Sequence, residues 1–399
     1  MVSYDIKPGI YGISINDRTT DLFEGVWPIS KEGVTYNSYL IKDEKTVLID
    51  LAKDFKTDTL LSLIGEIVDP RSIDYVVVNH MEPDHTGAIK TVTQLNPNLQ
   101  LICTPKAKPM LENYYGITDR IITVEDGQTL SIGKRTLTFV HAPFVHWPET
   151  MMTYLAAEKI LFSCDAFGSY GALPGTVFDD ECHDLEFYKS EALRYYTNIV
   201  AKFSKPILAA INKLAGVAVD IICPSHGLIW RKNPGTIIEL YRKWAEYEKG
   251  VNERGVTLLY GSMYGNTERI MNHVAKGLSA SGIPVDIFDV ARTHTSYILP
   301  SVWVNTGVVI GAPTYEVGLF PPMATVLEEI AMKRVMNKKA AFFGSFGWSG
   351  GALAKTKSII EPVKWELSDV LEFQGGASPA NIEKGYKFGL EFGRKIAGS

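Results

Sequence analysis

The chain has 399 residues, a formal net charge of -5 and an apolar fraction of 46%. Its length predicts two domains, each with enough apolar residues for a core of its own. The acidic balance and the absence of a long run of Lys and Arg argue against nucleic acid and anionic membranes as partners. No apolar stretch approaches the ~20 residues that cross a bilayer, and residues 1–10 lack the basic and apolar regions of a signal peptide, so we expect a cytoplasmic protein.

Apolar runs that are closed by polar residues, Gly or Pro predict a strand-rich first half. These runs occupy residues 36–52, 74–80, 99–105, 135–143, 159–166 and 219–227. Helical patterns lie between them at residues 55–68 and 184–215. The first half is therefore predicted to combine a large sheet arrangement with covering helices, and several of its strands end in His or Asp.

The second half has a different and more regular pattern. The charged, Gly-containing segment from Glu248 to Gly255 is typical of a linker. After it, strands at residues 255–262, 285–290, 306–314 and 339–347 alternate with helices from about Thr267, after Pro321 and after Gly350, and a last strand and helix follow. This pattern predicts a doubly wound parallel sheet of about 145 residues. We place the two domains at residues 1–250 and 251–399.

Ligand-type side chains gather at the ends of the predicted strands in the first half. The stretch VVVNHMEPDHTG, residues 76–87, opens from a buried strand into a loop that carries His80, Glu82, Asp84 and His85. Three further strand ends supply His146, Asp165 and His226. A single tetrahedral zinc ion needs only about three or four protein ligands. Four imidazoles and three carboxylates are better matched to two metal ions that share one carboxylate.

The order of these ligands carries a family resemblance. H-x-E-x-D-H at residues 80–85, followed by His146, Asp165 and His226, resembles the metallo-β-lactamase fold, whose usual motif is H-x-H-x-D-H. Glu82 stands where that fold generally has a second histidine, which raises the carboxylate share and favours iron over zinc. This combination resembles the flavodiiron proteins along essentially the whole chain. The resemblance implies a metallo-β-lactamase-like αββα sandwich followed by a flavodoxin-like doubly wound parallel sheet.

The same resemblance implies a role for each ligand of a diiron centre. Two histidines and one carboxylate bind each iron, and Asp165 bridges the two ions. The first iron takes His80, Glu82 and His146, and the second takes Asp84, His85 and His226. Some relatives leave the position of His85 uncoordinated.

Three loops of the second half predict a second binding site. The loop GSMYGNT, residues 261–267, lies between a strand and a helix, where backbone N–H groups and hydroxyl side chains form a phosphate cradle without lysine. It has neither G-x-x-x-x-G-K-[ST] nor G-x-G-x-x-G spacing, so a nucleoside triphosphate and a dinucleotide are both disfavoured. The loop resembles the phosphate loop of flavodoxins, which implies flavin mononucleotide (FMN) as the ligand. The predicted cofactor-binding residues are Ser262, Met263, Tyr264, Gly265, Asn266, Thr267, Pro313, Thr314, Tyr315, Phe346, Gly347, Trp348 and Gly350.

Within this site the later loops would hold the ring edge through backbone groups, and Tyr315 or Trp348 would stack on the isoalloxazine face. A flavin joined to a diiron domain predicts a terminal reductase in which electrons enter at FMN and leave at the irons. The family resemblance implies reduction of dioxygen to water, of nitric oxide to nitrous oxide, or both. It also implies a head-to-tail homodimer, or a dimer of such dimers, that brings one subunit's flavin to the other's irons. No rubredoxin-like cysteine pairs are present, so we expect a separate rubredoxin or a reduced coenzyme as electron donor.

Two alternatives remain open at this point. In the first, the protein is a dinuclear zinc hydrolase of the metallo-β-lactamase type with an accessory flavin domain, although Glu82 and the fused flavin domain argue against it. In the second, the metal site is structural and the chain is an electron carrier, which the complete ligand set disfavours.

Other chemically capable residues are interpreted as structural. The four cysteines, Cys103, Cys164, Cys182 and Cys223, form no C-x-x-C pair, which fits a reducing compartment and disfavours disulfides, zinc ribbons and a built-in iron–sulfur site. Tyr195 and Tyr196 belong to an apolar helical run and are predicted to pack in the core, with the further hypothesis that one of them hydrogen-bonds an iron-bound ligand. No metal role is assigned to His141, His183, His273 and His294.

Overall fold

The computed structural model describes residues 2–250 and 252–398. The chain divides into two compact units, Met1–Arg242 and Lys243–Ser399, and helix α7 (Pro234–Glu246) contains the division. The domain boundary that we placed after residue 250 stays a prediction. The predicted linker was too long, because strand β15 (Glu253–Tyr260) begins within it, where Glu253 pairs with Asn305 of a neighbouring strand.

Two sheets and two short hairpin strands build the first unit. A seven-stranded sheet has the order β1-β2-β5-β6-β7-β8-β9, and a five-stranded sheet has the order β10-β11-β12-β13-β14. The strands are β1 (Val2–Lys7), β2 (Ile10–Asp17), β3 (Leu22–Phe23), β4 (Trp27–Pro28), β5 (Val34–Lys42), β6 (Thr46–Ile49), β7 (Tyr75–Val77), β8 (Gln100–Cys103), β9 (Ile121–Thr123), β10 (Thr129–Ser131), β11 (Thr136–His141), β12 (Met151–Leu155), β13 (Ile160–Cys164) and β14 (Ile221–Pro224).

The core of this unit lies between the two sheets. Apolar side chains of both sheets belong to one buried cluster, among them Ile41 and Ile49 from the first sheet and Phe139 and Phe162 from the second. Burial of a side chain of this size contributes about 1.5–3 kcal/mol relative to leaving it exposed. The helices around this core are α1 (Thr57–Gly65), α2 (Pro83–Thr86), α3 (Ile89–Leu95), α4 (Lys108–Tyr115), α5 (Leu185–Tyr195), α6 (Ser204–Lys213) and α7, with 3-10 turns at Asp54–Lys56 and Pro70–Ser72.

The helical pattern over residues 184–215 is not one helix. After α5 the chain forms a π-helical turn (Tyr196–Val200) and a 3-10 turn (Ala201–Phe203) before α6 begins. Pro206 accounts for the restart, because a residue without an amide hydrogen fits only the first turn of a helix. The turn places Tyr195 and Tyr196 at a change of helical register, which often occurs at functional sites.

Parallel strand pairing sets the edge at which the polar residues collect. Strands β6, β7, β8 and β9 pair in parallel in the first sheet, and β13 pairs in parallel with β14 in the second. The carboxyl ends of parallel strands lie at one edge of a sheet, where crossover loops expose side chains. Six of the seven predicted ligands follow the ends of β7, β13 and β14, and His146 follows β11, which pairs antiparallel with its neighbours.

The second unit contains the predicted doubly wound sheet. Its five strands pair in parallel in the order β16-β15-β17-β20-β21. The remaining strands are β16 (Val285–Asp289), β17 (Asn305–Gly311), β18 (Thr314–Tyr315), β19 (Gly318–Leu319), β20 (Lys339–Phe346) and β21 (Glu366–Gln374). The helices are α8 (Asn266–Ala280), α9 (Thr295–Val304), α10 (Pro321–Met332), α11 (Ala352–Ile360) and α12 (Pro379–Ala397), with 3-10 turns at Tyr247–Lys249 and Glu361–Val363.

Helices α8 and α12 pack closely through glycine. A Cβ atom on Gly277 of α8 would stand 2.1 Å from the carbonyl oxygen of Tyr386 in α12, a separation that no side chain tolerates. The predicted fold class, an αββα sandwich followed by a flavodoxin-like sheet, is confirmed for the two units. Within the described residues no helix combines the length and apolar character that crossing a bilayer requires.

Candidate metal centre and flavin pocket

The first four predicted ligands come from one tight segment after β7. The strand ends at Val77, and helix α2 begins at Pro83 with Glu82 at its N-cap position. Proline suits the first helical position because the amide hydrogen that it lacks would have no partner there. The segment therefore turns sharply and carries His80, Glu82, Asp84 and His85 to one side of the strand end.

The other three ligands come from the second sheet and its loops. His146 lies in the connection between β11 and β12, Asp165 follows β13 directly, and His226 lies two residues after β14. Cys164 and Phe167, on either side of Asp165, have positive φ angles of 54° and 68°. Non-glycine residues adopt this conformation at an energetic cost, and such positions cluster at active sites.

The structure brings all seven side chains together in two groups of four. In the first group, the Nε2 atoms of His80 and His146 lie 3.3 and 3.0 Å from Oε2 of Glu82. Both Nε2 atoms are also 3.3 Å from Oδ2 of Asp165. Two imidazoles and two carboxylates thus converge on one point.

The second group has the same composition and uses the other oxygen of Asp165. Nε2 of His85 lies 3.1 Å from Asp165 Oδ1 and 3.5 Å from Asp84 Oδ1. Nε2 of His226 lies 3.3 Å from Asp165 Oδ1 and 3.4 Å from Asp84 Oδ2. Asp165 therefore presents one carboxylate oxygen to each group.

These separations fit two metal ions better than a hydrogen-bonded cluster. Ligands about 2.0–2.2 Å from one ion, at angles of roughly 90–110°, stand about 2.8–3.6 Å apart. Six of the buried ligand atoms have no hydrogen-bond partner within the described chain: both carboxylate oxygens of Asp84 and of Asp165, and Nε2 of His85 and His226. Buried polar atoms left unpaired are costly, and a shared cation removes that cost.

The Nδ1 contacts of His226 and His80 support the same interpretation. Nδ1 of His226 donates to the carbonyl oxygen of Thr35 at 2.6 Å, and Nδ1 of His80 donates to Oε1 of Glu149 at 2.8 Å. Each neutral ring then carries its hydrogen on Nδ1, which leaves the Nε2 lone pair directed at the carboxylates. Opposed lone pairs repel unless a cation or a proton lies between them.

Without a metal ion, protons balance the charge of the site. Burial by itself lowers the pKa of His80, but the charge of Asp165 and hydrogen bonds with Glu149 and Glu82 outweigh it and raise that pKa to about 9. For His146, burial is likewise outweighed by contacts with Asp165 and Glu82, which raise the pKa to about 10. Burial raises the pKa of Asp165, yet the charge of His85 and contacts with the other imidazoles hold it well below its ordinary value.

Several residues around the ligands had no signal in the sequence. Glu149 is buried and accepts from the Met81 amide at 3.0 Å as well as from His80. Asp50 is buried directly after β6, and its carboxylate accepts a hydrogen bond from the backbone amide of Asn79 at 2.8 Å. Asp50, His85 and Cys164 have ligand atoms within 4.8 Å of one another, so Cys164 lies at the border of the site. In the sequence, only the positions of Glu149, Asp50 and Cys164 near strand ends could have indicated that they lie beside the ligands.

The two tyrosines of the π-turn region differ. The Tyr195 ring lies 5.6 Å from the His226 ring, whereas Tyr196 packs against Tyr241 at 5.1 Å and its hydroxyl bonds Ser204 at 2.8 Å. Tyr195 is thus beside the site and Tyr196 is in the core. His141 bonds the carbonyl of Val124 at 2.9 Å and is absent from the ligand groups.

A cavity of about 380 Å³ lies at the carboxyl ends of the strands in the second unit. Eleven of the thirteen predicted flavin residues line it, and Gly265 and Gly350 do not. The lining also includes three residues that we did not predict. These are Glu316, Ser345 and Gly375.

The phosphate-loop geometry places a helix N-terminus at this cavity. Helix α8 begins at Asn266, and Gly265, at its N-cap, has a φ of 84°, a conformation that glycine adopts without strain. The Gly265 amide donates to Ser262 Oγ at 3.0 Å, and the buried Thr267 hydroxyl lies 3.0 Å from Ser345 Oγ. At the rim, Tyr264 is 90% and Trp348 is 87% exposed. Both rings present large free faces.

Comparison with known proteins agrees with this architecture. Residues 34–227 match the model of the ODP family beta lactamase, and residues 258–389 match the flavodoxin model. A nitric oxide reductase of Moorella thermoacetica is 35% identical, with 91% of this chain and 90% of that protein covered. The rubredoxin oxygen:oxidoreductase of Desulfovibrio gigas superposes with a TM-score of 0.94 at 30% identity, with 99% of both chains covered. A variant of the flavo di-iron protein of Thermotoga maritima gives a TM-score of 0.89 at 31% identity, with 99% of this chain and 98% of that chain covered.

A metallo-β-lactamase-like unit with paired histidine–carboxylate groups, joined to a flavodoxin-like unit, defines a metal-dependent flavoprotein. The chain belongs to the flavodiiron protein family. The resemblance found in the sequence is thereby confirmed.

Proposed function

We propose that the protein is a flavodiiron oxidoreductase that reduces dioxygen to water, nitric oxide to nitrous oxide, or both, at a non-haem diiron centre, with electrons delivered through FMN. The observation that carries this proposal is the position of Asp165, which offers one oxygen to each of two matching groups of imidazoles and carboxylates. A site for a single ion would need only one of these two groups of ligands.

In the proposed centre His80, Glu82 and His146 would hold one iron, Asp84, His85 and His226 would hold the other, and Asp165 would be shared. When bound, the two irons supply electrons and an open coordination position to a small acceptor. The higher carboxylate share introduced by Glu82 favours iron over zinc.

Aromatic side chains cover one side of the ligand groups. Phe23 lies edge-on to the His226 ring at 5.6 Å and to Tyr170 at 5.5 Å, and Tyr195 closes the same side. An apolar wall of this kind excludes water from the reacting atoms, which strengthens electrostatic interactions inside the site. The Tyr195 hydroxyl is our candidate for a hydrogen bond to an iron-bound acceptor.

The proposed flavin site is the cavity of the second unit. The N-terminus of α8, with Ser262, Asn266 and Thr267, would hold the phosphate group. Residues 313–315 and 346–350 would hold the ring edge, with Tyr315 or Trp348 against the ring face. A volume of about 380 Å³ lies within the usual range of small-ligand pockets, about 300–1,000 Å³.

The electron donor and the assembly are also proposals. The name of the Desulfovibrio relative identifies rubredoxin as that protein's partner, which supports a rubredoxin, or alternatively a reduced coenzyme, as donor here. A head-to-tail homodimer, or a pair of such dimers, would join one subunit's flavin to the other's irons, and closed symmetric oligomers are the commonest kind. The four cysteines are unpaired, which supports a cytoplasmic location.

Metal and flavin analysis of protein purified without oxygen tests the function. We expect about two irons and one FMN per chain, with a flavin that reductant bleaches and that dioxygen or nitric oxide recolours. Zinc in place of iron, with a flavin that the acceptors do not reoxidise, would contradict the proposal and favour the hydrolase.

A further inference from the structure

We infer that Glu149 is a positioning residue that orients His80 and strengthens the hold of the first iron subsite. The inference rests on the ligand assignment proposed above. Glu149 is not one of the seven proposed ligands. It contacts Nδ1 of His80, whereas Nε2 of the same ring faces the other ligands.

The Glu149 carboxylate is held in place from two directions. Its Oε1 atom accepts from His80 Nδ1 at 2.8 Å and from the Met81 amide at 3.0 Å. The Thr104 hydroxyl donates to the Glu149 carbonyl at 2.8 Å, which anchors the backbone. The side chain is 0% exposed. A buried carboxylate with both contacts fixes the plane and the tautomer of the His80 ring.

The two subsites differ in this supporting contact. His80 donates to a carboxylate, whereas His226, on the other side of Asp165, donates to the neutral carbonyl of Thr35. A carboxylate partner makes an imidazole a stronger donor to metal than a carbonyl does. Glu149 therefore favours tighter binding in the subsite of His80, Glu82 and His146.

A second cavity lies next to Glu149, and none of the seven proposed ligands lines it. It has a volume of about 350 Å³, and its lining includes the exposed residues Pro105, Lys106 and Glu125 and the buried residue Glu149. The second carboxylate oxygen, Oε2, has no hydrogen-bond partner within the described residues. The Glu149 side chain is thus closed to solutes in the cavity, and a shorter side chain at this position would leave a space beside it.

This geometry allows a chemical test of positioning. Glu149→Ala removes the carboxylate partner of His80 Nδ1, which keeps only the Thr150 hydroxyl at 3.3 Å, and it leaves a space beside the second cavity. We expect roughly 10- to 100-fold weaker binding of iron, the usual effect of losing such a supporting contact. Formate, added at high concentration, supplies a carboxylate in that space and restores iron binding to the variant.

The measurement is Fe(II) titration of metal-free protein, together with the iron content and the Mössbauer spectrum of each loaded variant. In Glu149→Ala we expect the spectrum of one iron to change or disappear and that of the other to persist. Glu149→Gln retains an oxygen acceptor without the charge, and we expect an affinity between the alanine variant and the unmodified protein. Glu125→Gln is the matched control, because it removes a charge from the same cavity without touching a ligand, and its titration should equal that of the unmodified protein.

Two results would overturn the inference. One is unchanged affinity in Glu149→Gln and Glu149→Ala. The other is a loss in Glu149→Ala that formate does not restore or that Glu125→Gln reproduces, because the loss would then be a general structural effect. If the alanine variant does not fold, unchanged affinity in Glu149→Gln alone decides against the inference. Failure of the diiron proposal is distinguishable, because the unmodified protein would then not bind two irons.

Discussion

Thr267→Ala is the sharpest test of the proposed phosphate contact. Thr267 is 1% exposed, lies in the first turn of α8 and lines the cavity of about 380 Å³. Among the described residues its hydroxyl has one hydrogen-bond contact, with Ser345 Oγ at 3.0 Å. We expect alanine at this position to weaken FMN binding and to leave the iron content unchanged, because the two sites belong to different units.

The size of the effect follows from the charge of the phosphate group. A hydrogen bond to a charged group contributes about 1.5–3 kcal/mol, since the unmade bond leaves that group partly unsatisfied. At about 1.4 kcal/mol for each factor of ten, the dissociation constant for FMN should rise about 10- to 150-fold. Loss of the contact with Ser345 should also lower the free energy of unfolding of this unit by about 1 kcal/mol.

Quenching of FMN fluorescence during titration of flavin-free protein measures this constant. Thr267→Ser retains the hydroxyl and should bind FMN nearly as well as the unmodified protein. Thr356→Ala is the matched control: its hydroxyl is equally buried and donates to the Ala352 carbonyl at 2.8 Å, but Thr356 does not line the cavity. An FMN affinity in Thr267→Ala that is no lower than in Thr356→Ala would refute the phosphate contact.

Three further predictions concern the metal site and its electron supply. Asp165→Ala should abolish retention of both irons while FMN stays bound and reducible, as metal analysis and flavin absorbance would report; continued turnover of dioxygen and nitric oxide would contradict the bridging role. Iron uptake by metal-free protein at neutral pH should release protons, and affinity should rise with pH, because His80 and His146, with pKa values raised to about 9 and about 10, are protonated until metal displaces the proton. Calorimetry in buffers of different ionisation enthalpy counts those protons, and a count of zero would contradict the protonated state. Mixing an iron-deficient Asp165 variant with a flavin-deficient Thr267 variant should restore roughly a quarter of the activity if subunits exchange within a head-to-tail dimer. No recovery after verified exchange would indicate transfer within one chain.

The sequence determined the parts of this protein that depend on short segments. Four ligands within His80–His85 are close whatever the rest of the chain does, because they share one loop and one turn of helix. The regular alternation of strands and helices after residue 253 predicted the doubly wound sheet, since parallel strands require crossovers of this kind. Glycine and hydroxyl residues between β15 and α8 predicted the phosphate loop for the same local reason.

Patterns that are short or ambiguous were harder to interpret. Strands of two or three residues, such as β3, β9 and β10, are too brief for alternation to reveal them. The apolar run over residues 184–215 has helical spacing throughout, but packing divides it into α5, a π-turn, a 3-10 turn and α6.

Only the tertiary structure decided how the site is divided and supported. It directs one oxygen of Asp165 to His80 and His146 and the other to His85 and His226. It also brings Glu149 to a histidine 69 residues away, and the Thr35 carbonyl to a histidine 191 residues away. The sequence determined which residues can bind metal, because that depends on side-chain chemistry and on local spacing. The packing of two sheets decided which of their atoms face each other, because contacts between distant segments depend on the whole core.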